Sequence, residues 1–291
     1  MARKLFFTLS AACLFLLCSI SSYGAGKTVH PKAEIKVEYT YHEKFWRGSD
    51  GVIERAIPML LLANNESSKF YCPNTEYRDS LESTPSGRAK ARKILHSALR
   101  QYSSSGDRAV LDDIIAYKTF MYIFKDVTKS LITVYDKAGL TDFGCYTEPL
   151  DSQHWQIGDS VKTVLGYKCL VAEADYHGRH WTVWFAPDIP VQDGPWKLHG
   201  LPGLILEASE PSGQHYFLAT GIEISHMDIV PIYPNVDYER MTRKELLKGR
   251  RNSLENGMSI FRAQTGVDLG VKDTPFSEEG RQYDFLETDY R

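Results

Sequence analysis

Side chains that could take part in catalysis or ligand binding concentrate in two short stretches. These are HGRH at residues 177–180 and GPWKLHGLPGLILEAS at residues 194–209. In the first, His177 and His180 flank a predicted hairpin tip, where two imidazoles could bind copper or zinc. Two histidines across a turn are more often solvated polar residues, and the spacing of the sequence assigns no third ligand. We therefore expect no metal site and no cofactor, and keep a metal-handling protein as an alternative function.

The second stretch combines special backbone residues with aromatic and polar side chains. Phosphate-binding loops place glycines before a helix, whereas an apolar run typical of a strand follows here. Pro202 restricts its own backbone, and the glycine after it favours a type II turn. We interpret the glycines and prolines as structural residues of a tight turn that enters a strand: Gly194, Pro195, Gly200, Pro202 and Gly203.

A functional interpretation of the same stretch is a largely apolar, exposed lip for a ligand or partner. Its candidate ligand-binding residues are Trp196, His199 and Leu201, together with the nearby Trp184. Aromatic side chains are dense in this part of the chain, and on a curved sheet they either fill a core or line an apolar cavity. Core filling is the default interpretation, and a cavity for a lipid-like or peptide ligand is the alternative.

Motifs of acyl-transfer catalysis are missing from the sequence. There is no Gly-x-Ser-x-Gly elbow, and no cysteine stands beside a sequence-defined histidine. Acidic residues such as Glu148 and Asp193 lie on predicted loops, where solvated carboxylates are ordinary. Catalytic triads converge in space rather than in sequence, so a hydrolase stays an alternative, and no catalytic residue is predicted.

The charge balance and the first residues limit the partners and the location of the protein. The formal net charge is −3 without a long Lys/Arg run, which argues against nucleic acid as a partner. Residues 1–24 combine a basic start, an apolar run and the small residues Ser22 and Gly24, which is typical of a secretory signal peptide. We expect an exported protein, periplasmic or associated with the outer membrane, with no membrane span after signal removal.

The cysteines left after signal removal are Cys72, Cys145 and Cys169. Because three is an odd number, at least one thiol is unpaired within the chain. A Cys145–Cys169 disulfide is one alternative. If a strand near residues 154–157 separates their two strands, the cysteines are too far apart to pair.

Alternating apolar residues, typical of strands, dominate the remaining sequence. Residues 25–291 are predicted to form a single mainly β domain, an antiparallel curved sheet or half-barrel. Residues 76–116 are predicted to be a partly helical insertion, and residues 241–262 a C-terminal helix capped by Thr242. The polar, acidic tail from Val271 is expected to be loose.

The run from LGYKC through WTVWFAPDIP to GPWKLHGLPGLI resembles the GLPGLI family, named for the hexapeptide at Gly200–Ile205. The resemblance covers residues 150–210 and implies an exported bacterial protein of uncharacterised function. It implies no catalytic residues. The strand pattern is similar to the curved sheets of LolA-type lipoprotein carriers, which is an analogy of fold and not of function.

Together these patterns predict an exported, non-enzymatic protein. It is expected to bind an apolar small molecule, a peptide or a cell-envelope protein through the face near residues 194–203. A hydrolase with a spatially assembled site and a metal-handling protein are the alternatives.

Overall fold

A computed structural model describes residues 30–46, 51–107, 119–151, 153–234, 236–268, 272–273 and 282–291. The predicted signal peptide, at residues 1–24, and residues 108–116 of the predicted insertion lie outside the described residues. Among the described helices, none has the length and apolarity needed to cross a bilayer.

A single twelve-stranded sheet forms the body of the protein, in the order β12-β6-β5-β4-β3-β2-β1-β11-β10-β9-β8-β7. All neighbouring strands are antiparallel except β12 and β6, and the prediction of a mainly β, antiparallel fold is confirmed. The strands are β1 (Ile35–Trp46), β2 (Val52–Ala63), β3 (Ser67–Tyr71), β4 (Tyr122–Asp126), β5 (Leu131–Lys137), β6 (Phe143–Pro149), β7 (Gln156–Val164), β8 (Tyr167–Tyr176), β9 (Arg179–Ala186), β10 (Leu204–Ser209), β11 (His215–Ile224) and β12 (Glu239–Arg240).

Among the described residues, three helices accompany the sheet: α1 (Pro73–Glu82), α2 (Pro85–Ser105) and α3 (Arg243–Thr265). Proline near the start of α1 and α2 is compatible with helix initiation, because its missing N–H would have no intrahelical partner there. Thr242 and Glu245 form a reciprocal capping box at the start of α3, which confirms Thr242 as the cap.

The two faces of the sheet differ in what covers them. On the inner face, Tyr39 and Tyr41 of β1 belong to a large apolar core that also receives Leu246 and Leu247 from α3. A smaller apolar cluster lies on the outer face, where the hydroxyl of Tyr122 donates a 2.6 Å hydrogen bond to Asp79 of α1. Alternation of side chains along each strand separates the two clusters.

Curvature brings opposite ends of the sheet together. β6 lies near one edge and the β8–β9 hairpin near the other, yet His177 Nε2 at the hairpin tip is 3.4 Å from Glu148 Oε1 of β6. A flat sheet of this many strands, spaced about 4.8 Å apart, would hold these groups tens of ångströms apart. The sheet therefore wraps around its inner face.

The three described cysteines are free thiols. Cys145 lies on β6 and Cys169 on β8, strands at opposite ends of the sheet order. Each thiol contacts a backbone carbonyl and not the other sulfur, Cys145 that of Tyr238 and Cys169 that of Tyr167, so the Cys145–Cys169 disulfide is excluded. The reason differs from the expected single intervening strand, because β7 lies outside β8 at the sheet edge.

Candidate functional site

Residues 194–203 belong to a loop between β9 and β10 that folds back onto the inner face. Lys125 of β4 anchors this loop from across the sheet, because its buried Nζ contacts Asp193 and donates to the carbonyls of Gly194 (3.0 Å) and Leu198 (3.1 Å). Burial lowers the pKa of Lys125 and the Asp193 carboxylate opposes that effect. The loop is thereby fixed as a layer of the core.

The turn at the end of the loop differs from the predicted type II turn. The N–H of Gly203 donates to the carbonyl of Leu201 at 2.8 Å, which closes a three-residue turn centred on Pro202. A Cβ on Gly203 would lie 2.3 Å from the carbonyl oxygen of Ala186. Close approach of two backbones, rather than the φ of a type II turn, requires glycine at this position.

The expectation that Trp196, His199 and Leu201 form an exposed edge is wrong. Trp196 and Leu201 are each 1% exposed, and His199 is 6% exposed. The indole of Trp196 packs against Trp181 with ring centroids 5.5 Å apart. Removing large apolar side chains from water lowers the free energy of the folded protein, which favours the inner face over an exposed lip.

Trp184 is half-buried, and its neighbours along β9, Val183 and Phe185, are buried on the opposite side of the strand. The Lys162 ammonium lies over the indole of Trp184, 4.5 Å from the ring centroid. Trp184 and Trp196 therefore do not converge on one site.

His199 is held by groups around it. Its Nδ1 is 2.9 Å from the carbonyl of Lys197, and its backbone N–H donates to the Gln153 side chain. Trp155 donates to the carbonyl of His199 at 2.8 Å. Burial and the Lys125 charge lower the pKa of His199, so that the imidazole is neutral and stabilises the loop.

Lys197, at the centre of the same loop, is the fully buried cation of an ionic cluster. Its Nζ is 2.7 Å from a carboxylate oxygen of Glu148 and 2.7 Å from one of Glu287, and it donates to the Tyr146 hydroxyl at 2.9 Å. A buried charge without such partners would cost several kcal/mol. The loop lysine thus connects β6 to the segment that contains Glu287.

That segment, residues 282–291, is called the strap. The strap is packed against the body, contrary to the loose tail expected from Val271 onward; residues 271 and 274–281 of that tail lie outside the described residues. Arg179 of β9 donates to the Phe285 carbonyl at 2.7 Å, and the Thr288 N–H donates to the His177 carbonyl at 3.0 Å. Arg243 of α3 contacts both Glu287 and Asp289.

Electrostatics hold Glu287 in its ionised form. Burial raises its pKa, but Lys197, His177 and Arg243 outweigh burial and lower the pKa to about 2. The pKa of Glu148 is also lowered, against burial, by the hydrogen bond to His177 and the charge of Lys197. Both carboxylates are therefore anions at neutral pH. Their carboxylate oxygens form ion pairs with cations of the same chain.

A cavity of about 360 Å³ lies beside this cluster, between the inner face of the sheet, α3 and the strap. The wall of the cavity includes Trp196, Tyr146 and Glu287. The loop therefore borders the cavity through the buried side chain of Trp196 and not through an exposed edge. Ion pairs also border it, with Arg250 Nη1 2.9 Å from Asp136. Apolar lining residues include Ile57, Met121, Val134, Leu247 and Phe285.

A hydrogen-bonded pair lies at another part of the cavity wall. The hydroxyl of Tyr41, a lining residue, is 2.7 Å from Nδ1 of His215, and Nε2 of His215 is 3.0 Å from the Asp284 carbonyl in the strap. Because the carbonyl can only accept, Nε2 carries the proton and Nδ1 accepts from Tyr41. Burial lowers the pKa of His215 to about 4, which keeps the ring neutral.

The two histidines of HGRH have separate surroundings. His177 faces Glu148 and Asp289, whereas the exposed His180 pairs with Asp175 at 2.8 Å on the hairpin. His177, Glu287 and Asp289 place potential ligand atoms within 4.8 Å of one another. Arg243 already contacts both of these carboxylates and Lys197 one of them, so a metal ion would have to compete with two cations.

The described histidines of the cavity region lack a nucleophile of the triad kind. Both ring nitrogens of His177 face carboxylates, and His215 pairs with the buried Tyr41 and a carbonyl. Burial raises the pKa of Tyr41 well above its ordinary value, so its phenolate is disfavoured. Within the described part of the chain, this geometry does not assemble a hydrolase triad.

Sequence reasoning missed the ionic cluster entirely. Its members come from β6, the hairpin tip, the loop, α3 and the strap: Glu148, His177, Lys197, Arg243 and Glu287. The one available signal was a lysine between Trp196 and Leu198, inside an otherwise apolar motif. A charge at such a position predicts a buried partner but does not name it.

This loop and its flanking strands match the model of a protein family. Residues 177–207 match the model of a family described as "Protein of unknown function (Porph_ging)". The matched region starts at the hairpin tip and includes β9, the loop and most of β10. No curated protein matches the chain significantly.

Two solved structures of PNGF-II resemble the fold. The structure in space group P21 has a TM-score of 0.47 and 14% identity, covering 74% of this chain and 34% of that chain. The structure in space group C2 has a TM-score of 0.45 and 12% identity, covering 74% and 33%. The chain therefore spans about a third of the length of these structures.

Proposed function

We propose that the protein is an exported member of the GLPGLI family that binds a small ligand in the cavity beneath the strap and catalyses no reaction. The cavity carries this proposal. Its volume of about 360 Å³ suits a small molecule or the side chains of a short peptide. It is too small to admit a folded envelope protein, so we favour a small ligand over that partner.

The lining supports an amphipathic ligand. Phe285 and Leu247 offer apolar contact, while Arg55 and Arg250 lie beside acidic side chains of the same wall. Because cations and carboxylates are already paired, a ligand of high net charge would have to disrupt an existing pair. A molecule with an apolar body and a polar or singly charged group fits this lining better.

Dye binding tests the proposal, with the fluorescent probe 1-anilinonaphthalene-8-sulfonate, which has an apolar body and one anionic group. We expect saturable binding to the folded protein at one site. Ser253 of α3 lines the cavity, and Ser253→Phe is expected to fill it and weaken dye binding about tenfold or more. Native mass spectrometry of the same preparations would detect a retained ligand.

The matched control is Asn252→Phe, which adds the same ring at an exposed neighbouring position outside the cavity. It is expected to bind the dye as the parent protein does. Cooperative urea unfolding of both variants checks that dye fluorescence does not come from loosened packing. Absence of saturable binding, or equal weakening in the two variants, would overturn the proposal.

A further inference from the structure

Helix α2 carries an exposed apolar stripe. Leu95, Leu99 and Tyr102 are 37%, 41% and 39% exposed, although they are large apolar or aromatic side chains. Their spacing of four and three residues places them on one side of the helix. The buried residues of this 21-residue helix are only Gly87 and Ala98, so most of its surface is free in the described structure.

The charge of α2 is opposite in sign to that of the whole chain. The helix has five Lys/Arg residues and no Asp or Glu, whereas the chain has a formal net charge of −3. None of the five forms an ion pair with a described acidic residue; they are Arg88, Lys90, Arg92, Lys93 and Arg100. Unneutralised positive charge is therefore concentrated on one exposed helix.

The local sequence caps this helix at both ends. The Thr84 side chain accepts from the Gly87 N–H at its start, and Gly106 ends it in the left-handed conformation. In the described structure α2 packs mainly on α1. A capped helix with an exposed apolar stripe and a basic polar surface has the composition of helices that lie in a membrane interface.

We propose that α2 is a membrane-surface helix, which attaches the protein to a bilayer containing anionic phospholipid. Leu95, Leu99 and Tyr102 enter the boundary between headgroups and acyl chains. Arg92 continues the same stripe toward the start of the helix, where its long stem reaches the headgroups. The cations explain a preference for anionic lipid that the net charge of the chain would oppose.

Vesicle flotation of the full chain lacking residues 1–24 tests the proposal. We expect binding to phosphatidylcholine vesicles that contain about 30% phosphatidylglycerol, and little binding to pure phosphatidylcholine. The charge variant, Arg92→Gln with Lys93→Gln and Arg100→Gln, is expected to bind about tenfold or more weakly. The apolar variant, Leu95→Ser with Leu99→Ser, is also expected to bind more weakly, by about tenfold.

Matched controls remove equal charge or equal apolar surface elsewhere. Ile157 and Val161 of β7 are 53% and 50% exposed, and replacing both by serine is expected to leave vesicle binding unchanged. The charge control replaces three exposed lysines by glutamine: Lys168, Lys244 and Lys248. All variants alter exposed side chains, and cooperative unfolding checks that each is folded.

Three outcomes would overturn the proposal. The parent protein could fail to bind anionic vesicles, it could bind neutral vesicles equally well, or the α2 variants could bind as the parent does. Failure on vesicles combined with charge-dependent retention on poly-glutamate would reject the membrane and assign α2 to an acidic protein partner instead.

Discussion

Glu287→Gln is the substitution with the largest expected effect on the ionic cluster. In the folded protein the pKa of Glu287 is about 2, against an ordinary value of 4.5. Each unit of difference between the folded and the ordinary pKa is worth about 1.36 kcal/mol, so this difference corresponds to about 3 kcal/mol of stability. Glu287 is 5% exposed, so solvent screening reduces this value little. We expect the variant to unfold with a free energy lower by about 3 kcal/mol at pH 7.

The pH dependence supplies an independent check. Because the folded pKa lies below the unfolded pKa, the stabilisation is fully present above about pH 4.5 and is lost as the pH falls toward 2. The parent protein should therefore lose stability over this range more steeply than Glu287→Gln. Urea unfolding monitored by tryptophan fluorescence measures both quantities.

A double-mutant cycle separates the ion pair from other effects of the glutamate. Lys197→Met alone leaves Glu287 and Glu148 without their shared buried cation, whereas Lys197→Met combined with Glu287→Gln removes both charges. The double variant is expected to be more stable than the sum of the single effects predicts. Glu239→Gln, at an exposed glutamate, is the control and should change stability by less than about 0.5 kcal/mol. If the unfolding free energy of Glu287→Gln is within about 1 kcal/mol of that of the parent, the electrostatic reasoning is wrong.

Two further substitutions test the loop and the cavity wall. Gly203→Ala places a Cβ 2.3 Å from the Ala186 carbonyl oxygen and should reduce the unfolding free energy by about 2 kcal/mol or more, measured in urea. Gly257→Ala, where a Cβ meets nothing within 4 Å, is its control and should be neutral or stabilising. For His215, the folded pKa of about 4 lies below the ordinary 6.5, so protonation favours the unfolded chain. The parent should lose stability as the pH falls from 6.5 to 4, and His215→Gln should show less of this loss; equal slopes would contradict the assignment.

The sequence predicted the strands well because their alternation reflects a local rule. β1 and β9 have buried apolar side chains at every second position, and this period is typical of a strand with one face in the core. Capping is equally local, since Thr242 and Glu245 are three residues apart. Such patterns need no knowledge of distant residues.

The same rules failed for the loop at residues 194–203, where glycines and prolines indicated a rigid turn but not its position relative to the sheet. The exposed lip was wrong because the sheet curves enough for Lys125 on β4 to anchor a loop between β9 and β10. Sequence periodicity contains no information about curvature summed over many strands. The strap was missed for a similar reason, since an acidic tail looks solvated until its cations are located.

The amino-acid sequence by itself determined most strands, the antiparallel character of the sheet and the cap of α3, because each depends on residues a few positions apart. Only the tertiary structure decided that Trp196 is a cavity wall and that Lys197 pairs with Glu148 and Glu287. Those partners lie on different elements, and buried charges are tolerated only where the fold brings opposite charges within hydrogen-bond distance.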